Sequence, residues 1–285
     1  MLKKFTKIFF IIIMFVASSI NASISVDVVI PCIEKDLEIL NACIDGAKKY
    51  VNGVRRIIVV SPKELTKNAE WFDEANFPFT LADVGMELGG IGIGDHERRG
   101  WYLQQLLKFY APFIIPGISE NVLILDSDTI FLQPYEPILP DGKIQINISY
   151  LSNVYKSYVN HMKKMHPSFA LTNNKINPVV HHMLFQKSKL ERLFNMVENY
   201  HKKSFWIAFL HCVNLENRSL KSNSYNFYVG ASEYVIYFNF LSLFYSDELF
   251  IHKSKILNEM RSLDDIEEAI KKGYEIASCH YYMRK

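Results

Sequence analysis

Two almost entirely apolar runs, separated by a helix-sized segment, limit what this chain can fold into. The first run, VDVVIPC, covers residues 26–32, and the second, VRRIIVVSP, covers residues 54–62. Such runs are typical of strands buried on both faces of a parallel sheet. Leucine and isoleucine at helical spacing predict an amphipathic helix over residues 36–50 between them. Strand, helix and strand in this order predict a βαβ unit, and therefore an α/β fold with a mostly parallel sheet.

The composition is that of a globular enzyme-sized chain. Its 285 residues are 49% hydrophobic and 14% aromatic, which is enough apolar material for a large core. The 32 Lys and Arg residues nearly balance the 30 Asp and Glu residues, leaving a formal net charge of +2. This balance gives no reason to expect nucleic-acid binding, so any anionic ligand needs a local site.

Residues 1–22 have the pattern of an export signal. Three lysines precede an unbroken apolar run, and a small and polar tail follows it. This order predicts a secretory signal peptide, or a signal anchor if it stays uncut. The apolar run is shorter than the roughly 20 residues that span a bilayer, which favours cleavage near Ala22. We therefore expect a secreted, periplasmic or lumenal protein that meets a membrane only through an uncleaved leader.

The four cysteines do not form any C-x-x-C pair, so neither a zinc site nor a redox motif is indicated. Disulfides formed after export and buried free thiols stay open as alternatives. The cysteines are Cys32, Cys43, Cys212 and Cys279.

The segment before the chain's midpoint predicts two more strands and a helix between them. FPFTLADVG, residues 77–85, predicts a third strand, and a glycine-rich segment follows it. Residues 100–112 have apolar side chains at helical spacing and predict a helix that stops before Pro112. Its polar face carries Gln104, Gln105 and Lys108. Residues 122–125 then predict a buried strand.

The second half is expected to be richer in helix. Ser188 and Glu191 have the spacing of a capping box at the start of one helix. Further helices are expected over residues 232–245 and 262–273, followed by a short strand-like tail.

Two aspartates stand between apolar runs in LILDSDTIFL, residues 123–132. Close carboxylates repel and raise each other's pKa unless a cation lies beside them. At the carboxyl end of a parallel strand, where open α/β sheets bind ligands, Asp126 and Asp128 therefore predict a divalent metal. A turn with solvated aspartates is the alternative, but the flanking apolar runs favour a site at the sheet edge.

Three segments together resemble glycosyltransferases of the GT-A fold, the nucleotide-sugar enzymes with a D-x-D motif. They are VDVVIPC, RRGWYLQQLLK at residues 98–108, and VLILDSDTIFLQP. The resemblance implies a GT-A-like, Rossmann-like domain over residues 24–285 with a mostly parallel sheet flanked by helices. Residues 24–140 would bind a nucleoside-diphosphate sugar, and the helix-rich residues 141–285 would bind an acceptor, which could be a glycan, a lipid or a protein.

The resemblance also implies roles for single residues. Asp128 would bind Mn²⁺ or Mg²⁺ directly, Asp126 would reach the ribose or the metal through water, and His280 would be a further metal ligand. The metal would stabilise the leaving nucleoside diphosphate. The residues expected on the nucleotide side are Pro31, Asp126, Arg99, Gln104 and Lys108.

Glu233 is the candidate catalytic base in the acceptor half. Aromatic residues surround it in the sequence, which would raise its pKa and suit it to deprotonate an acceptor hydroxyl. A carboxylate that complements a helix dipole explains the same residue more simply. His181 and His182 are a weaker acceptor-site candidate.

Two other functions remain open. LILDSDTIF approaches the haloacid-dehalogenase phosphatase signature, in which Asp126 would be the phosphoryl-accepting nucleophile and Asp128 its acid and base. Ile130 stands where that signature has Thr or Val, and about 100 residues precede a motif that usually opens that fold. The third reading is a non-catalytic exported binding protein that keeps the transferase fold.

Overall fold

The computed structural model describes residues 25–88, 96–149, 154, 156–213 and 230–284. The predicted leader and residues 89–95 of the glycine-rich segment lie outside the described residues.

The described residues form ten strands and eight α-helices. The strands are β1 (Val26–Pro31), β2 (Val54–Ser61), β3 (Glu70–Asp73), β4 (Asn121–Leu125), β5 (Thr129–Phe131), β6 (Ile144–Ile148), β7 (His182–Gln186), β8 (Leu249–Lys253), β9 (Ile256–Leu257) and β10 (Ile276–Ser278). The helices are α1 (Leu37–Tyr50), α2 (Leu81–Glu87), α3 (His96–Ile114), α4 (Lys156–Met165), α5 (Lys187–His201), α6 (Phe205–His211), α7 (Glu233–Phe244) and α8 (Ile266–Lys271).

A five-stranded sheet in the order β3-β2-β1-β4-β7 forms the centre of the fold. β1, β2, β3 and β4 are parallel, and β7 runs antiparallel beside β4. All six residues of β1 are buried, as expected for a strand covered on both faces. The predicted fold class, a mostly parallel sheet flanked by helices, is confirmed, and the arrangement is consistent with a GT-A-like fold.

Two smaller sheets extend this centre. β10 pairs antiparallel with β5 and parallel with β9, while β6 pairs in parallel with β8. The register of β10 on β5 places Ser278 opposite Thr129. The residues that follow β10 therefore lie beside the residues that precede β5.

The prediction of a third strand over residues 77–85 was wrong. Residues 77–85 contain the start of α2, and the third parallel strand is the earlier segment EWFD. The reason is a capping box: the Thr80 hydroxyl accepts from the Asp83 amide, and the Asp83 carboxylate accepts from the Thr80 amide. This reciprocal pair satisfies the first free amides of a helix.

Two helix boundaries also differ from the predictions. α3 continues past Pro112 to Ile114, because a proline in the last turn removes only one hydrogen bond near the helix end. Ser188 does not cap α5, whose N-cap is Gln186. The Ser188 hydroxyl and amide instead both donate to Glu120, at 2.6 and 3.0 Å.

No helix among the described residues combines the length and the apolar character needed to cross a membrane.

Candidate functional site

The DSD motif lies at the carboxyl end of β4, the strand between β1 and β7. Asp126 follows Leu125 directly, and its backbone amide donates to the carbonyl of His181 at 2.9 Å. A tight turn follows, in which the amide of Thr129 donates to the carbonyl of Asp126 at 3.0 Å. The turn sends β5 back into the core. Both aspartates are thus held at the ligand edge of a parallel sheet.

Asp126 is neutralised by a buried lysine. Lys108 of α3 is 2% exposed, and its Nζ contacts Oδ1 of Asp126 and lies 2.5 Å from Oε1 of Glu233. The hydroxyl of Tyr234 donates to the same Asp126 oxygen at 3.0 Å. Burial alone would raise the pKa of Asp126, but the charge of Lys108 and the bond from His181 hold that pKa well below its ordinary value.

His181 occupies the other oxygen of Asp126. Its Nδ1 lies 3.0 Å from Oδ2, and Asp126 raises the pKa of His181 although burial acts in the opposite direction. The His181 backbone has a φ of 65°, a left-handed conformation that costs energy for any residue other than glycine. Both the backbone carbonyl and the ring of His181 therefore hold Asp126 in place.

Asp128 is paired with the C-terminal segment. Nδ1 of His280 lies 2.9 Å from Oδ2 of Asp128, and the amide of Cys279 donates to the Asp128 carbonyl at 2.8 Å. Burial would raise the pKa of Asp128, but the hydrogen bond from His280 outweighs it and lowers that pKa. The rings of His181 and His280 are 5.0 Å apart, so the two aspartates share one histidine-lined edge.

Glu233 lies at the first position of α7, a helix whose first nine residues are all buried. Its backbone amide donates to Oε1 of Gln105 at 3.1 Å. Burial raises the pKa of Glu233, and the charge of Lys108 opposes that rise only in part. Glu233 is thus not the isolated carboxylate that its sequence neighbours indicated, because Lys108 bridges it to Asp126.

The structure places the other predicted residues as follows. Pro31 ends β1 and is buried, and Gln104 is half-buried on α3. The guanidinium of Arg99 packs against Gly85 of α2. His182 is buried, hydrogen-bonds to Asn147 at 3.1 Å, and has its pKa lowered to about 4 by burial.

Several contacts at the site were missed by the sequence analysis. Gln105, which is 1% exposed, accepts from the backbone amide of Glu233, a contact that the sequence analysis did not predict because it placed Gln105 only on the polar face of α3. The link from Asp36 to Ser127 and Arg284 had no signal in the sequence, since it joins three distant segments. Helical spacing placed Gln105 near Lys108 but could not separate it from Gln104.

The side chains around the motif leave two residues that could bind a metal ion. Among the described residues, no group of three or more His, Cys, Asp or Glu side chains is arranged to hold an ion. Asp126 has both oxygens engaged by Lys108, Tyr234 and His181. Asp128 and His280 remain, and two protein ligands fit a divalent ion that takes its other ligands from phosphates and water.

Comparisons with known proteins give a family and distant similarity to solved structures. A search of curated protein sequences found no match. The apo crystal structure of mouse xyloside xylosyltransferase 1 is similar to this chain at 13% identity, covering 92% of this chain and 99% of that one, with a TM-score of 0.42. A TM-score of 0.42 is too low to assign a function to this chain from that similarity. The profile of a family of unknown function, DUF6492, matches residues 37–271. Because this match covers most of its length, the chain belongs to the DUF6492 family.

Proposed function

We propose that this protein is a metal-dependent glycosyltransferase that moves a sugar from a nucleoside-diphosphate sugar to a glycan, lipid or protein acceptor. One observation carries the proposal: Asp126 and Asp128 lie at the carboxyl end of the parallel strand β4, among basic side chains from three separate segments. This is the edge at which open α/β sheets bind nucleotides.

The charges at the site support a metal requirement. The site holds three carboxylates, from Asp126, Asp128 and Glu233, and Lys108, which is bonded to Asp126 and Glu233, is the only permanent cation bonded to any of them among the described residues. A diphosphate adds further negative charge, so its approach to Asp128 needs a counter-ion. Asp128 and His280 would hold Mn²⁺ or Mg²⁺, and the bound ion would supply Lewis-acid stabilisation of the leaving diphosphate.

The remaining residues have proposed roles in holding the donor. Lys108 fixes the carboxylate of Asp126, which would face the nucleotide. Pro31 lies at the carboxyl end of the neighbouring strand, where the nucleotide would pack. Arg99 and Gln104 of α3 are proposed nucleotide contacts because the resemblance to GT-A glycosyltransferases implies that role.

Glu233 is the proposed catalytic base, and its raised pKa supports that role. A base role predicts that Glu233→Gln lowers kcat by about 10²-fold or more without weakening donor binding. If transfer stays within a few fold of the wild-type rate, the base role is wrong. A fall in donor affinity instead would assign Glu233 to holding Lys108.

The test of the proposed function is a thermal-shift panel of UDP, GDP, CDP and ADP, each with and without MnCl₂. Binding at about 100 times Kd stabilises a protein by about 2.7 kcal/mol, which corresponds to roughly 5–10 °C in Tm for a chain of this size. We expect one diphosphate to give this shift only with manganese, and the shift to disappear in Asp128→Ala.

Asp45→Ala is the matched control, because Asp45 is an exposed aspartate on α1. It should keep the shift. Stabilisation that does not need metal, or no stabilisation by any diphosphate, would overturn the proposal. Nucleotide sugars of the same four bases, followed for donor hydrolysis, separate an enzyme from a binding protein that has kept only the site.

The phosphatase alternative is less well supported by the geometry. A nucleophilic Asp126 needs a free carboxylate oxygen, but Oδ1 accepts from Lys108 and Tyr234 and Oδ2 is bonded to His181. Turnover of an aryl phosphate that is lost in Asp126→Asn would nevertheless place the phosphatase first.

We also propose that the protein is exported, on the basis of the leader at residues 1–22. N-terminal sequencing of the protein made in a secreting host tests this. A mature chain that begins near Ser23 supports a cleaved signal peptide, whereas an intact leader in the membrane fraction supports an anchor.

A further inference from the structure

Asp36 connects the middle of the DSD motif to the C-terminal segment. It lies in a short 3-10 turn just past the carboxyl end of β1, and its side chain is 10% exposed. Its Oδ2 accepts from the hydroxyl of Ser127 at 2.9 Å, and its Oδ1 accepts from Nη2 of Arg284 at 2.9 Å. One carboxylate therefore bonds to two segments that are far apart in the sequence.

Arg284 uses three nitrogens on three acceptors. Besides the bond to Asp36, its Nη1 donates to the carbonyl of Lys35 at 2.6 Å, and its Nε donates to the carbonyl of Cys279 at 3.0 Å. The planar guanidinium can satisfy such a fixed set of acceptors, which a lysine ammonium cannot match in direction. Arg284 thereby ties both ends of residues 279–284 to the turn after β1.

Apolar burial holds only the first residue of this segment, Cys279, which is fully buried. Its turn over Tyr281–Met283 contains no buried residue, and the side chains of Tyr281 and Tyr282 are 59% and 79% exposed. The segment includes His280, whose ring bonds to Asp128. Beyond the buried Cys279, polar contacts therefore hold the residues around His280, and the guanidinium of Arg284 makes three of them.

We propose that Asp36 and Arg284 are positioning residues that hold His280 against Asp128, with Ser127 aligning Asp36 to the motif. Groups that orient a metal ligand from behind commonly change metal affinity by 10–100-fold when they are removed. The role of this contact in ligand binding rests on the proposed function. Its role in placing the segment that carries His280 does not.

The experiment compares Arg284→Gln, Arg284→Lys, Asp36→Asn and the wild type by two measurements. The first is hydrogen–deuterium exchange of the peptide over residues 276–284, which contains the Cys279 amide bonded to Asp128. The second is the affinity for Mn²⁺ together with the diphosphate chosen by the thermal-shift panel. We expect at least tenfold faster exchange and about tenfold weaker binding in Arg284→Gln and Asp36→Asn, with partial rescue in Arg284→Lys.

Arg55→Gln is the matched control. Arg55 also bonds to a buried aspartate, Asp27, but at the other end of β1. This variant should lose stability without changing the exchange of residues 276–284 or the affinity. A purely structural role for Arg284 would make the two arginine variants behave alike.

Each outcome decides something. Unchanged exchange in Arg284→Gln and Asp36→Asn overturns the inference, and so does faster exchange with unchanged affinity for the metal and diphosphate. If the wild type binds none of the diphosphates, the proposed function fails. In that case the exchange of residues 276–284 still shows whether Asp36 and Arg284 hold His280 in place.

Discussion

Lys108 is bonded to two carboxylates in a place that water hardly reaches. Asp126 and Glu233 keep the pKa of Lys108 above its ordinary value even though burial acts to lower it. Removing one partner of a buried ion pair leaves an uncompensated charge, which costs about 3–5 kcal/mol. We expect Lys108→Met to lower the free energy of unfolding in urea by that amount at pH 7.

Lys189→Met is the control for this prediction. The side chain of Lys189 is only 8% exposed and is therefore buried, as that of Lys108 is. Its partner Glu248 is 54% exposed and stays hydrated when the pair is broken. The loss should be about 1 kcal/mol or less. Equal losses in the two variants would show that Lys108 does not carry the charge balance of the site.

His161 makes the stability depend on pH. Its Nε2 donates to the carbonyl of Phe209 at 2.8 Å, while Nδ1 is buried with no partner among the described residues. A proton on Nδ1 would be buried and unpaired, and burial lowers the pKa of His161 to about 4. The unfolded chain takes up that proton near pH 6.5, so this contribution is complete above pH 6.5 and is lost as the pH falls to 4.

We therefore expect the free energy of unfolding to fall by about 3 kcal/mol through His161 between pH 7 and 4. His161→Gln should remove this part of the slope in urea titrations at several pH values. A slope that is identical in His161→Gln and the wild type would contradict the assignment.

The site residues were predictable where their neighbours formed a pattern. The apolar runs around Asp126 and Asp128 placed the motif at a strand end, and the helical spacing of α3 placed Lys108 on one face. The contact of His181 with Asp126 and that of Arg284 with Asp36 could not be found in this way, because they depend on how distant segments meet. Asp36 was likewise treated only as the start of a helix.

At the scale of elements, the packing of α1 depends on a glycine. A Cβ on Gly46 would lie 2.9 Å from the carbonyl oxygen of Phe131 and 3.1 Å from Cγ2 of Ile130. Neither the backbone of β5 nor a buried isoleucine can easily move, so α1 would have to shift. We expect Gly46→Ala to destabilise the fold by about 1–3 kcal/mol.

Gly100→Ala is the matched change in α3. A Cβ there meets nothing within 4 Å, and alanine forms helix better than glycine. This variant should be more stable than the wild type by about 0.5–1 kcal/mol. Chemical denaturation of both variants tests the pair, and a stabilising Gly46→Ala would show that α1 does not approach β5 so closely.

Elements were predicted well where hydrophobic period and length agreed, as for β1, α1, β2 and β4. The errors have local causes. Thr80 and Asp83 cap a helix in a segment whose aromatic residues are typical of a strand. Ser188 is bonded to Glu120, which is 68 residues away, and therefore does not cap α5. The first cause was readable from the spacing, whereas the second required the folded chain.

For the whole molecule, the structure decides between the alternatives left open for the cysteines. All four are free and buried. Burial raises the pKa of Cys32 to about 12 and that of Cys212 to about 11, so little reactive thiolate is present at pH 8. We expect no rapid reaction with a disulfide reagent in the native protein and four thiols in urea without reductant. Only two thiols in urea would indicate a disulfide.

The contact between Asp36 and Arg284 also bears on the order in which the molecule assembles. These residues are 248 positions apart, whereas Lys108 and Asp126 are 18 apart. In an unstructured chain, closing the longer loop costs about 2 kcal/mol more entropy, and contacts of long sequence separation tend to form late. Pulse-labelling during refolding should therefore protect the amides of β1 and β4 before that of Cys279. Asp128 would then spend the early part of folding without its C-terminal partner His280, and the sheet edge that carries the motif would be completed late.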